Sequence, residues 1–513
     1  MCRWLVQGAG LWRVWALLPL LSLLLVSSAH ADEPGTLPTL IRQPIQLQSR
    51  FDLVALPQHE SLGLLGGALL FDIDAQWAAG PALIGAASGQ RGGFFALGAH
   101  VEHRWQLDPD WRFNAGLYVG GGGGGAAPVG SGLLVQPSLQ LWRRWGAWQT
   151  GVSRSQLWFP DGAIRSQPWG LMLSWDGEFK HVATEAVGRV LSIEAPASEF
   201  GFGFDQTQLI LSQYTTRVRP LIPSTHIQLV GMRFERPIEA GYPDVSFSLE
   251  AAAATHGGAD GYMELLAALS VHPSASAWGL PPLHGGLRGA LGLGGGGGLA
   301  TGGGILAKAA LQVSWDLAPN AQVGLETGVV QAPGLAAQTF QARTTQLYVG
   351  WRFDDLGGRS AALVRGIEWE PSWQHTVRAL RRQGPVLPLD TVGLKIHRWL
   401  DEHLYLTGQW HSAFAGQAGA YGLGLLGLGW AERWLTPQLS GSMALLAGAA
   451  GGGGVLTEGG AVSQLMTQLG WRMGVDDRLQ LGAGYLRGRS AQFASPVFEL
   501  SWSHSFGVGE RQP

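Results

Sequence analysis

The chain has 513 residues, 46% of them hydrophobic and 14% charged, with 78 glycines, 23 tryptophans, one cysteine and a formal net charge of -3. Charge this sparse beside so much apolar content excludes a disordered chain, and the near-neutral balance offers no broad basic surface for nucleic acid. A single thiol excludes both a disulfide scaffold and a cysteine-rich metal site.

From the N-terminus, Arg3 and Arg13 precede an apolar run from Val14 to Val26. Ser27, Ser28 and Ala29-His30-Ala31 follow, then Asp32. A charged start, a short apolar segment and an A-x-A site predict a signal peptide over 1–31, cleaved near Ala31. Cleavage removes Cys2 and two arginines, leaving a thiol-free chain of net charge about -5. No later apolar run has the length of a membrane-crossing helix. In an exported chain whose apolar residues are frequent but interleaved, a closed β-barrel is the membrane solution, because only helices and closed barrels satisfy every backbone polar group in lipid.

The interleaving has period two. Ile305, Ala307, Ala309, Leu311, Val313, Trp315 and Leu317 fall on one face of a strand, opposite Lys308, Gln312, Ser314 and Asp316. Leu347, Val349, Trp351 and Phe353 oppose Gln346, Tyr348 and Arg352. Leu465 to Val475 repeats the pattern against Gln464, Gln468 and Arg472, and Phe498 to Phe506 against Glu499, Ser501, Ser503 and Ser505. Strict alternation is the strand signature. Large aromatics recur at strand ends, where an interfacial girdle sits.

The pattern also repeats at long range. Glycine runs stand at Gly120–Gly125, Gly294–Gly298 and Gly451–Gly454, and Gly93-Phe94, Gly261-Tyr262 and Ala420-Tyr421 stand at matching positions upstream. Each unit reads as about eight strands, so three units predict an all-β transmembrane antiparallel barrel of about 24 strands. The units divide the chain into a signal peptide 1–31, repeat 1 over 32–178, an irregular insert 179–200, repeat 2 over 201–353, repeat 3 over 354–506 and a tail 507–513. One large barrel is the first expectation and three tandem eight-stranded barrels the alternative. A barrel of that width needs filling, so Phe179–Phe200 and Pro371–Asp390, with Arg378, Arg381 and Arg382, are either inward-folding plugs or long loops. Short turns such as Asp108-Pro109-Asp110, Ala318–Asn320 and Asp476-Asp477 fall on one side of the sheet by parity, the glycine runs on the other.

The last strand, Val497–Phe506, with Trp502 and Phe506 on one face, resembles the closing strand of bacterial outer-membrane β-barrel proteins, although seven residues follow Phe506. The resemblance implies the outer membrane of a Gram-negative bacterium, contact with outer-membrane lipid, handling by the barrel-assembly machinery and no nucleic acid. A periplasmic partner stays open.

The sites are fewer. The glycine runs lack the strand–helix context of a phosphate cradle, and read as flexible hairpin tips or a small-residue wall where the barrel curves. The 14 histidines are scattered without a metal-ligand spacing, so no metal or cofactor is expected. His411-Ser412 and Ser503-His504-Ser505 place neighbours on opposite strand faces, which separates nucleophile from base. No catalytic residue is assigned. Arginine outnumbers lysine 31 to 3. Arg343, Arg352, Arg472 and Arg487 are the candidate lumen charges, suited to anions through the guanidinium fork. The first functional expectation is a passive channel or export pore. The alternatives are a structural or adhesion barrel with a filled lumen, and an outer-membrane lipid-modifying hydrolase.

Overall fold

The computed structural model describes residues 40–192, 200–216, 225–238, 245–272, 283–333, 340–353, 361–436, 438–489 and 492–511. The signal peptide expected over 1–31 lies outside them. Apart from two single 3-10 turns, the described chain is built of antiparallel strands. Barrel one comprises β1 (Ile41–Ala55), β2 (Ser61–Asp72), β3 (Trp77–Ser88), β4 (Phe95–Gln106), β5 (Trp111–Gly123), β6 (Leu133–Trp145), β7 (Trp148–Ser155) and β10 (Trp169–His181). A small hairpin, β8 (Leu157–Trp158) and β9 (Arg165–Ser166), extends β7 and β10 beyond the barrel. A short β11 (Val190–Ser192) follows. Barrel two comprises β12 (Gln206–Thr216), β13 (His226–Pro237), β14 (Val245–His256), β15 (Met263–Val271), β16 (Leu283–Gly295), β17 (Ile305–Ala318), β18 (Ala321–Gln331) and β19 (Gln341–Arg352). Barrel three comprises β20 (Ala361–Ala379), β21 (Leu387–Trp399), β22 (Leu404–Ala415), β23 (Gly422–Thr436), β24 (Leu439–Gly451), β25 (Ala461–Arg472), β26 (Asp477–Gly488) and β27 (Ala494–Arg511).

Each set of eight closes on itself. β1 pairs with β10, β12 with β19 and β20 with β27. Of the two architectures the repeat allows, the chain adopts three tandem eight-stranded barrels and not one wide barrel. Successive barrel strands pair within each repeat, and the first pairs with the eighth rather than with a strand of the next repeat.

Alternation runs apolar-out and polar-in. On β17, Leu311, Trp315 and Leu317 are 59%, 54% and 65% exposed, while Lys308, Gln312 and Ser314 are buried. This inverts a soluble β-sandwich, whose alternating strands bury the apolar face. Most exposed tryptophans gather at one rim of the barrels, Trp77, Trp105, Trp145, Trp148 and Trp175 in barrel one, Trp315 in barrel two, and Trp430, Trp471 and Trp502 in barrel three, while Trp169 and Trp373 stand toward the other. That rim carries the short turns, where Asp74, Asp108 and Asp401 each accept two backbone N–H bonds. The Gln76 and Trp77 amides hold the exposed Asp74 carboxyl below its ordinary range. The first and last strands of each barrel also begin and end at this rim. The glycine runs lie at the opposite rim.

The three barrels form a ring. β3 packs on β16 and β17, β13 and β14 pack on β24 and β25, and β21 and β22 pack on β4 and β5. The same flank of each barrel meets the same flank of the next, a heterologous contact that closes after three steps. At every junction the turn before the fourth strand of one barrel docks on the glycine run of the next. The Gly92 N–H donates to Gly302 O at 2.7 Å, and the Gly419 N–H to Gly130 O at 3.1 Å. At the remaining junction Asp260 accepts from Arg382 and, at 3.2 Å, from Thr457 Oγ1. A Cβ on Gly419 would stand 2.5 Å from Gly132 N, and one on Gly261 2.7 Å from Gly452 N. The glycine runs are therefore the barrel-to-barrel contact, where backbone meets backbone, rather than free tips or a curving wall. Gly130 (φ 62), Gly302 (φ 57) and Glu458 (φ 49) occupy one equivalent left-handed position in the three runs, and only the last bears a side chain.

Among the described residues, neither irregular stretch enters a lumen. Pro371–Ala379 belongs to β20, and the loop before β21 reaches outward, with Arg381 on the Gly416 carbonyl and Arg382 on Asp260. Phe179–His181 ends β10, Thr184–Ala186 is one 3-10 turn, and β11 pairs with β20; residues 193–199 lie outside the described residues. Phe506 is buried between barrels, 5.3 Å from Phe179 and 5.8 Å from Trp369, and β27 runs past it to Arg511. Most of the expected tail is thus strand.

Candidate functional site

Eight strands enclose a space that side chains can fill. In barrel two they fill it with ions, one strand after another: Arg233 on β13, Glu250 on β14, Glu264 on β15, Arg288 on β16, Lys308 on β17 and Glu326 on β18. All are buried. Alternation puts each on the inward face, and their matching heights bring them together. Arg233 bridges Glu250 at 2.7 Å and Glu326 at 2.8 Å, and donates to Gln208 at 3.0 Å. Arg288 lies 3.1 Å from Glu250, and Lys308 3.2 Å from Glu250 and 2.8 Å from Gln346. Tyr214 and Tyr262 both donate to Glu264, at 2.6 and 2.7 Å. Three cations face three carboxylates, so the network is formally neutral. Neutrality matters because one unpaired charge in such a space costs several kcal/mol.

Barrel three repeats the scheme with different residues. Lys395 joins Glu370 and Glu499, His397 Nε2 lies 2.7 Å from Glu370, and Gln468 donates to Glu370 and Glu499 at 2.8 Å each. Arg478 pairs with Glu368 toward the short-turn rim, beside a cavity of about 20 Å³, room for about one water. In barrel one, Arg104 bridges Glu102 and Asp72 at 2.6 Å each, and Gln46 donates to Asp176 at 2.7 Å. Trp142 is also buried, opposite Arg112 in register, and donates to Gln140 at 2.8 Å.

Toward the glycine-run rim each lumen turns apolar. Phe94, Tyr118 and Leu134 fill that end of barrel one, Tyr262, Leu306 and Val330 that of barrel two, and Tyr421, Val462 and Leu486 that of barrel three. Phe94, Tyr262 and Tyr421 are the matching residues of the sequence repeat. Their carbonyls accept from Ala86, Ala254 and Ala413 in the same way. Each barrel is thus an ionic layer under an apolar stopper.

The four arginines singled out in the sequence separate. Arg352 faces inward at the short-turn rim, 3.1 Å from Asp316 and 2.8 Å from Gln322. Arg472 shares the inward parity but ends its strand in the open, donating to Gly474 O at 2.8 Å. Arg343 and Arg487 are on the outer wall and do not line a lumen. Parity explains the correction: Arg343 is in step with Leu347 and Val349, and Arg487 with Leu481 and Tyr485. The lumen ions that matter were missed, although the in-step polar residue of each alternating strand, Lys308 above all, was the signal that marked them.

His411 and Ser412 point apart, as neighbours on a strand must. His411 instead meets Ser372, Nε2 to Oγ 2.8 Å, inside barrel three. Both are buried, and His411 Nδ1 has no hydrogen-bond partner, so no carboxylate orients the ring. Among the described residues no group of three or more metal-ligating side chains gathers. Nor, among them, is any helix long and apolar enough to cross a membrane.

No protein-family model matches the chain, and no curated protein matches it. Among solved structures it is similar to the siderophore receptor PirA of Pseudomonas aeruginosa, at 9% identity and a TM-score of 0.27, over 92% of this chain and 82% of that one. It is similar to the outer membrane protein OpdK of Pseudomonas aeruginosa at 9% identity and 0.23, over 91% and 99% of the two chains. The siderophore receptor PirA of Acinetobacter baumannii gives 8% identity and 0.27, over 93% and 81%. At these values nothing about transport follows for this chain. The chain's own structure is one of antiparallel closed barrels, polar within and apolar without.

Proposed function

We propose that this protein resides in the outer membrane of a Gram-negative bacterium as a structural or adhesion assembly of three sealed barrels. The inverted alternation supports the membrane. An outer wall of exposed leucine and tryptophan is unfavourable in water by about 25 cal/mol per Å² and suits lipid. The observation that carries the sealed reading is the filled lumen. The Arg233–Glu250–Glu326–Arg288–Lys308 network and the apolar stopper above it occupy the width of barrel two. Barrels one and three are filled likewise. A passive channel would require these layers to move aside. A lipid hydrolase would require Ser372 and His411 to meet a substrate through the barrel wall.

Contact with the barrel-assembly machinery stays part of the proposal. With Phe506 covered, the exposed Phe498, Leu500 and Trp502 face of β27 is the part such a machine can read before the ring closes.

The test is conductance of the refolded chain in a planar bilayer, with heat-modifiable migration reporting that the barrels are folded. Folded protein with no steady conductance is the expected result. Steady single-channel conductance from the native chain overturns the sealed reading and restores the channel.

A further inference from the structure

At the glycine-run rim, β7 and β10 continue past the apolar wall of barrel one as the β8–β9 hairpin. Its outward face carries three cross-strand pairs in succession. Arg154 stands opposite Trp169, Gln156 faces Gln167, and Arg165 stands opposite Trp158. Each guanidinium lies over its partner's ring, with Cζ 5.3 Å from the Trp169 centroid for Arg154 and 5.4 Å from the Trp158 centroid for Arg165. Arg154 also donates to Gln167 at 3.2 Å. Both arginines are exposed, and among the described residues neither pairs with a carboxylate. Directly below on the same face stand Val152, Leu171 and Leu173, all exposed.

We propose that this face binds the phosphate of an anionic membrane-lipid headgroup, one whose charge no headgroup cation neutralises. The inference rests on the membrane reading above. Cation–π attraction holds each guanidinium beside its partner's indole, and the N–H groups that Gln167 does not take are left for an anion. Such a fork matches phosphate oxygens two at a time. Tryptophan prefers the water–lipid boundary, and the apolar wall beneath fixes that boundary at the height of Trp169. The neighbouring acyl chains would lie along Leu171 and Leu173. A phosphate at the boundary is thus the group within reach, and the unpaired positive charge selects it. Arg343 and Arg487 sit on the outer walls of barrels two and three near the same rim, with no ring beneath either among the described residues, and serve as internal comparisons.

The experiment uses the full chain refolded into phosphatidylcholine vesicles that carry phosphatidic acid. Flotation with the vesicles reports insertion, and native mass spectrometry after extraction reports retained phosphatidic acid. Arg154→Gln with Arg165→Gln is expected to lower retention about fivefold or more, with flotation and phosphatidylcholine retention unchanged. Arg343→Gln and Arg487→Gln, which remove unstacked guanidiniums, are expected to change it by less than about twofold. Excess inorganic phosphate is expected to leave the lipid bound. Unchanged retention in the inserted double variant overturns this inference alone. Displacement by inorganic phosphate shows a free-anion site and overturns the lipid. Failure of the native chain to float overturns the membrane reading beneath it.

Discussion

The lumen of barrel two and the ring junctions are both interior contacts, and they are built in opposite ways. In the lumen, long charged side chains cross the space and neutralise one another. At the junctions, glycine backbone lies on backbone, as where Gly419 meets Gly130 and Gly132, and side-chain bonds such as Asp260 to Arg382 and Thr457 only flank it. The lumen tolerates no loss, because each ion is needed by at least one other. The junctions tolerate no gain, because a methyl group has nowhere to go. One repeat thus carries two design rules. Interior width is set by side chains and barrel spacing by their lack.

Substitutions can break this comparison from either side. The largest effect is expected from Glu250→Ala, which leaves Arg233, Arg288 and Lys308 buried around the one carboxylate still bridging them, Glu326. Breaking a buried pair from one side costs about 3–5 kcal/mol. A fall in the urea midpoint of folded, heat-modifiable protein reads it, and an unchanged midpoint would mean that water reaches the network. Leu311→Arg, on the outer wall midway along β17, is expected to cost about 2–4 kcal/mol in a bilayer. The same midpoint measured in vesicles checks it, and tolerance would argue against lipid at that face.

Gly261→Val tests the junction. The new side chain meets Gly452 and takes a φ of 92, so a loss of about 1–3 kcal/mol is expected. Gly289→Ala, at a position with nothing within 4 Å, is the matched control, expected within about 0.5 kcal/mol. Equal behaviour of the two would remove the junction's claim to tight packing. The smallest effect runs the other way. Glu458→Gly relieves the one side chain at the equivalent left-handed position and is expected to stabilise by about 1 kcal/mol, read as a raised midpoint.

Much of this was legible from particular residues. Lys308, Gln312 and Ser314 against Leu311, Val313 and Trp315 mark inner and outer faces because side chains alternate across a strand whatever lies beside it. Phe94, Tyr262 and Tyr421 mark the threefold repeat because equivalent turns need equivalent stoppers. The misplacement of Arg343 and Arg487 was avoidable by the same parity. The Ser372–His411 contact was not legible, since it reaches across β21 at Gly393, and the register of two successive hairpins is set only in the folded sheet.

Strand identity, the direction of the faces and the count of three eights are properties of the chain itself, because alternation and repeat length are written locally. Three decisions belong to the tertiary structure alone. Closure of each eight on its own first strand depends on which edges meet, and every outward and inward face reads the same in one wide barrel or three narrow ones. The neutral network of barrel two depends on charges from six strands arriving at one height. The glycine runs acquire their role only when a second barrel lies against them, since a missing side chain has no meaning until something occupies its place.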